Sequence, residues 1–284
     1  MNPFEKFIGY LKSLKTLSQV NASLSRGAVT ASCRILDEKR PSTWEFSAFS
    51  QNGEDGIIDF LLGRLKNPNR YFVELGASNA LENNSSWLAI ARRYQGVMIE
   101  GDPQLTKDCK RLIALFNCGV SVVNAFITKE NTADWLGHSL FKDPDFFSID
   151  IDGNDYYVAD GVLAAGYRPK IFSVEYNSCF GPQRPLTIPY KEDFNMHSAH
   201  PTRLYYGVGI GCWKKFFAKH DYRFVTVDQN GVNAFFADPN AFVPGFLENL
   251  EGLPFQENFS QKLTFKVGWD GQMKLIEDMK FIEI

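Results

Sequence analysis

The stretch Tyr71-Phe72-Val73-Glu74-Leu75-Gly76-Ala77-Ser78-Asn79 constrains this chain more than any other. Residues 71–75 read as a buried strand that runs into a glycine turn, with an acid two places before the glycine. A strand, a tight turn and a ligand held at the strand's carboxyl end form the usual opening of an open α/β site. The rest of the chain should therefore alternate strands with helices.

It does. A helix is predicted at Ile57–Leu65 ahead of the strand. Beyond it, strands are predicted at Gly96–Glu100, Val120–Ala125, Asp145–Asp152 and Lys170–Tyr176. Helices are predicted at Ser85–Tyr94, Gln104–Leu115 and Asp155–Ala165. Two more strands, Tyr222–Asp228 and Asn233–Ala237, join through Asn230-Gly231 as an antiparallel finish. The expected class is α/β: a Rossmann-like, mostly parallel, seven-stranded sheet with helices on both faces. Residues 178–212 break the rhythm with Pro182, Pro185, Pro189 and Pro201, several aromatics and two of the four histidines. A long irregular segment after a core strand is more often functional than idle, so it is expected to cover an acceptor site. Gly207–Gly211 resembles a dinucleotide fingerprint but sits late, before Trp213, and reads as the tight start of a helix. Phe265–Ile284 alternates around Trp269-Asp270-Gly271 and predicts a terminal hairpin. The expected division is 1–45, an amphipathic helix and linker; 46–240, the main domain; and 241–284, an extension.

In residues 1–25, Phe4, Phe7, Ile8, Leu11, Leu14, Leu17 and Leu24 recur at helical spacing, with Lys6, Lys12 and Lys15 between them. The helix is expected to pack on its own domain or on a second copy of the chain, making a homo-oligomer. A membrane surface is the alternative. Lys and Arg number 30 against 33 Asp and Glu, so no basic excess points to nucleic acid. Five widely spaced cysteines without a CxxC fit reduced thiols. No apolar run is long enough for a transmembrane segment. A cytoplasmic protein is the expectation.

The strand ends suggest the ligand. Gly76 permits close backbone approach. Glu100 follows Glu74 by 26 residues, where a ribose-binding acid belongs. Asn124 and Ala125 end the third strand, where an adenine edge would be met, and Asp150 ends the fourth. A pyrophosphate needs the G-x-G-x-x-G that the first turn lacks, which argues against NAD. S-adenosylmethionine fits better, held by Gln51, Glu74, Gly76, Ala77, Ser78, Asn79, Glu100, Asp102, Asn124, Ala125 and Asp150.

Several motifs together resemble the FkbM-type class I methyltransferases. They are Ser50-Gln51-Asn52-Gly53-Glu54-Asp55, Phe72–Ala77, Glu82-Asn83-Asn84-Ser85, Gly96–Glu100, Ser148–Asp155, Val174-Glu175-Tyr176-Asn177 and Gly231–Phe236. The likeness covers about residues 49–237. It implies a seven-stranded S-adenosylmethionine-dependent enzyme, usually one that O-methylates sugars, polyketides or other small metabolites.

A hydroxyl acceptor must lose its proton during methyl transfer, and two routes are open. Asp150, Asp152, Glu175 and Asn177 supply oxygen ligands suited to Mg²⁺ or another divalent cation, which would orient a sugar or polyol acceptor and acidify it. Alternatively His197 or His200 is the base, with Asp150 at the transfer point. Other readings are that Asp150 only touches the cofactor, Asp152 caps a helix, and Glu175 and Asn177 shape a turn. Two further classes stay open: a catalytically inactive cofactor-binding scaffold and a metal-dependent hydrolase.

Overall fold

The computed structural model describes residues 3–284; Met1 and Asn2 lie outside it, as do the side chains of residues 3–6 and Ile8. The expected helical faces of Phe4, Lys6 and Ile8 therefore fall outside the described residues. The described residues hold these strands in chain order: β1 Tyr71–Leu75, β2 Gln95–Glu100, β3 Val120–Asn124, β4 Phe146–Ile149, β5 Ile171–Glu175, β6 Leu186–Thr187, β7 Arg223–Val227, β8 Asn233–Ala237 and β9 Ile282–Glu283. The main sheet has the order β3-β2-β1-β4-β5-β8-β7. Its first five strands are parallel, and β8 lies antiparallel between β5 and β7. This is the seven-stranded, mostly parallel Rossmann-like sheet that the sequence predicts. All five residues of β1 are buried, as befits a central strand of a parallel sheet covered on both faces.

Helices α1 Pro3–Cys33, α2 Glu54–Leu62, α3 Pro103–Phe116, α4 Thr132–Leu136, α5 Asp155–Ala164, α6 Met196–Ala199, α7 Ile210–Lys219, α8 Phe259–Phe265 and α9 Trp269–Lys274 complete the fold. Alternation along the strands divides the core. Phe72 and Phe146 face the layer of α2 and α3. Val73, Leu75, Phe147 and Ile149 face α4, α5 and α7. Between β1 and β2 the expected helix is one wide turn, Trp87–Ala91, because β2 resumes at Gln95.

Two local expectations are corrected. The helix α1 runs through Cys33, into the stretch read as linker. Val20 is fully buried, and Arg26 donates to the carbonyls of Ser47 and Ala48, so tertiary contacts hold a sequence whose polarity alone looked loop-like. Phe7, Tyr10, Leu11 and Leu14 nearer its start are exposed. The terminal hairpin is absent. Residues 265–284 form α9 and the short β9, which pairs antiparallel with β6 in the 178–212 insert rather than with its own neighbour. Met273 and Ile276 join Phe180, Ile188 and Leu204 in a third core, so the apolar positions read as strand alternation serve a helix packed on the insert. The glycines at 209 and 211 do begin a helix: they let its start lie against the carbonyls of Gln183, Arg184 and Leu186.

Asp55, at the start of α2 and fully buried, ties the segment before it into place. Its Oδ2 accepts from the N–H groups of Ala48, Phe49 and Ser50 at 2.7–2.8 Å, while Oδ1 has no partner. Burial pushes this carboxyl up to about 7. The native chain thus keeps a proton that the unfolded chain releases near pH 4. This contribution to stability is full below about pH 4 and is lost as pH rises through about 7. Asp55→Asn is expected to remove one proton's worth of that decline, approaching ~1.4 kcal/mol per pH unit within the window. Urea unfolding of both proteins across this range checks it; parallel stability curves would contradict the assignment.

Candidate active site

The carboxyl ends of β1, β2, β3 and β4 open on a cavity of about 470 Å³. Gly76 turns the chain after β1 with φ +85°, and a Cβ there would stand 1.8 Å from the Asp150 carbonyl oxygen. Only glycine lets the β1 turn lie against the end of β4. The N–H groups of Gly76 and Ala77 donate to the Ile99 carbonyl, which fastens the turn to β2. Glu100 then bridges two loops: Ser78 N–H donates to its Oε2 at 2.7 Å and Asp102 N–H to its Oε1 at 2.8 Å. Each carboxylate oxygen keeps a further lone pair. Gly76 and Ser78, Glu100 and Asp102, Ala125 with Phe126 and Ile127, and Asp150 with Ile151 line the cavity in strand order. Phe194 reaches it from the insert, packed over Gly153, and Asn154 Nδ2 donates to the Lys191 carbonyl to hold the insert there.

Other residues singled out in the sequence have different places. Ala77 is buried, and its carbonyl accepts from Asn83 Nδ2. Asn79 Oδ1 accepts from Leu81 N–H within the turn. Asp102 caps α3, accepting from Gln104 and Leu105 N–H, yet still lines the cavity. Asn124 Nδ2 donates to the Glu100 and Gly101 carbonyls and to Thr106 Oγ1, so it braces the β2–α3 junction. Neither His197 nor His200 lines the cavity; His200 Nδ1 pairs with Thr202 Oγ1 at 2.8 Å.

A second cavity, of about 290 Å³, adjoins the first, and Asp150, Asp152, Gly76, Gln51 and Glu82 line both. Glu74 opens on this second space, with Oε1 accepting from Asn84 N–H at 3.2 Å. Burial pushes its carboxyl up to about 8. Asp150, Asp152 and Glu175 offer carboxylate oxygens that lie within 4.8 Å of one another. Burial, then mutual repulsion, raises Asp150 and Glu175 well above the usual carboxylate range. Three carboxylates so close must keep a proton or take a counter-ion, and their oxygens suit a hard cation. Asn177 is corrected as a member of this set. It is fully buried, its Nδ2 donates to the Leu204 and Tyr206 carbonyls, and its Oδ1 accepts from Cys179 N–H. Nor does Asp152 cap α5. Asp155 does the local work, accepting from Ile151 and Gly153 N–H, and Asp152, at φ +56°, is left exposed to the cavities. Sequence reading missed Asp155, Glu54 and Asn233; an acid three residues after an acid at a helix start was the one available signal for Asp155.

No family model matches the chain, and no curated protein does. Among solved structures it is similar to an O-methyltransferase from Bacillus cereus in complex with SAH, at 15% identity and TM-score 0.43 over 77% of this chain and 89% of that one. It is also similar to the O-methyltransferase TomG from Streptomyces achromogenes in complex with SAM, at 14% identity and TM-score 0.44 over 77% and 96%. The CurJ carbon methyltransferase matches at 11% identity and TM-score 0.43 over 84% and 71%. Such distant likenesses lend no weight to any one chemistry. Among the described residues, no helix is long and apolar enough to cross a membrane.

Proposed function

We propose that the protein is an S-adenosylmethionine-dependent methyltransferase that methylates a hydroxyl of a sugar or other small polyhydroxylated metabolite, of the FkbM type that its motifs resemble. The observation that carries the reading is the first cavity. Around one space it presents a glycine turn, an acid and an apolar slot. Gly76 and Ser78 would meet the aminoacyl end, Glu100 the ribose hydroxyls, and Ala125, Phe126 and Leu105 the adenine faces. Asp150 and Asp152, shared by both cavities, mark the transfer point. A bound methyl donor would supply the methyl carbon to the acceptor oxygen, its sulfur keeping the electron pair of the broken bond, and by this route Asp150 would receive the hydroxyl proton. Holding the two reactants in line supplies much of the rate. His197 is the alternative base, because it lies near enough to Asp152 to oppose the rise that burial imposes on that carboxyl.

Calorimetry with S-adenosylmethionine and with NAD tests the reading. Saturable binding of the first and none of the second is expected; the reverse would exclude a methyltransferase. A scaffold without catalysis is favoured by no particular residue, and hydrolysis without methyl donor would be the sign of the hydrolase alternative.

By the other route, in which Asp150 is a ligand and not the base, Asp150, Asp152 and Glu175 would hold a divalent cation, which when bound would orient vicinal acceptor oxygens and lower the pKa of one. Chelation is expected to abolish activity and Mg²⁺ to restore it. Glu175→Gln should weaken Mg²⁺ binding, read by calorimetry, by about tenfold or more, since loss of even an outer-shell partner costs that much. Full activity after exhaustive chelation would remove the cation from the mechanism.

A further inference from the structure

The second cavity is chemically one-sided. Glu54, Glu74, Glu82, Asp150, Asp152 and Glu175 line it, and among the described residues no lysine, arginine or histidine does. The side-chain amides in its wall already donate to the protein. Gln51 Nε2 donates to Glu82, Asn52 and Asn233 Nδ2 to Glu54, Asn84 Nδ2 to Ser148, and Asn83 Nδ2 to the Ala77 carbonyl.

The buried side-chain atoms of this wall that lack a partner are all oxygens, of Glu74, Glu175 and Asn233. Glu74 is 1% exposed and its Oε2 has no partner; Asn233 is 2% exposed and its Oδ1 has none. The Asn233 amide can face only one way, because Glu54 Oε1, 2.9 Å from Nδ2, must receive a donor. Its oxygen is therefore the free end. Buried oxygens are rarely left unpaired in folded proteins, and a ligand that donates hydrogen bonds would satisfy both. A divalent cation on Asp150, Asp152 and Glu175 would answer that side of the wall and leave the Glu54, Glu74 and Asn233 side unchanged.

We propose that this cavity is the acceptor's subsite and that the acceptor carries a protonated amine near the hydroxyl to be methylated, as in an amino sugar or amino alcohol. The proposal rests on the methyltransferase reading and narrows its substrate class. Glu74, giving up its own proton to solvent as the cation enters, and Asn233 accept the ammonium hydrogen bonds, and the ionised carboxylates of the wall supply the counter-charge. Charge-assisted hydrogen bonds of this kind are among the stronger ones available to a binding site. Anionic acceptors, such as sugar phosphates, are turned away by the same wall.

The test is calorimetry on the full chain saturated with S-adenosylhomocysteine and Mg²⁺, using two matched pairs: glucosamine against glucose, and 2-amino-1,3-propanediol against glycerol. Each amine is expected to bind about tenfold more tightly than its hydroxyl partner, or better. Glu74→Gln should remove most of that preference. Equal affinities within both pairs, no binding of either amine, or a Glu74→Gln protein that keeps the full preference would overturn the proposal. Should that variant not fold, the wild-type pairs decide alone. Failure of S-adenosylhomocysteine to bind would instead overturn the methyltransferase reading, whereas its binding without amine preference overturns only the subsite.

Discussion

Glu100→Ala is expected to weaken S-adenosylmethionine binding about 100-fold, with little change in thermal stability. The carboxylate would accept from both ribose hydroxyls, and hydrogen bonds to a charged group are worth about 1.5–3 kcal/mol each, so losing the pair corresponds to a factor of ~100 or more. Two backbone N–H groups, of Ser78 and Asp102, also lose their acceptor, and both loops that shape the cavity loosen. Both loops are open to water, which can replace the lost acceptor, so the cost falls on binding rather than on folding. Glu100→Gln should recover part of the affinity, because its amide oxygen can still accept one of these bonds. Calorimetry on the three proteins is the measurement. Wild-type affinity in Glu100→Ala would mean that the ribose lies elsewhere.

The second large effect is on the fold. Gly76→Ala is expected to destabilise the chain by about 3–5 kcal/mol, the range reserved for strain at a special backbone position or overpacking in a core. Two costs combine. A left-handed conformation at a residue with a Cβ costs ~1–2 kcal/mol, and Gly76 sits at φ +85°. The new Cβ would also meet the Asp150 carbonyl oxygen at 1.8 Å, a backbone atom that β4 holds in place. Relief requires β1 and β4 to part at the point where both cavities meet. Against a typical total of 5–15 kcal/mol this is a large fraction. Chemical denaturation gives the loss directly, and donor binding should fall with it. By contrast, Gly166 has open space around its Cβ position, so Gly166→Ala should show only the modest cost of its own positive φ.

These two residues were legible from the start because each follows from a local pattern. Gly76 ends an apolar strand and Glu100 ends the next one, and strand ends at one edge of a parallel sheet converge whatever the loops do. The same logic placed Asp150. It misled for Asn124 and Asn177, which also sit at strand ends. An asparagine there can equally turn back to brace the junction behind it, and both do, each satisfying two carbonyls of neighbouring segments. The histidines of the insert were chosen for residue type and for lying in a segment expected to cover the acceptor, and the cavity linings hold neither of them.

The sequence by itself determined the α/β class, the strand succession, the tight turn at Gly76 and the acid at Glu100, since periodicity, glycine and strand-end chemistry are properties of short stretches. Only the tertiary structure decided the rest. Glu54 and Asn233 stand 179 positions apart and meet because β8 inserts beside β5, with Asn233 opposite Glu175. The last residues read as a hairpin until the insert supplied β6 as a partner for β9. Both outcomes depend on which distant segments share an edge, and that choice is settled by burying the whole core at once, with no trace in any single window of the chain.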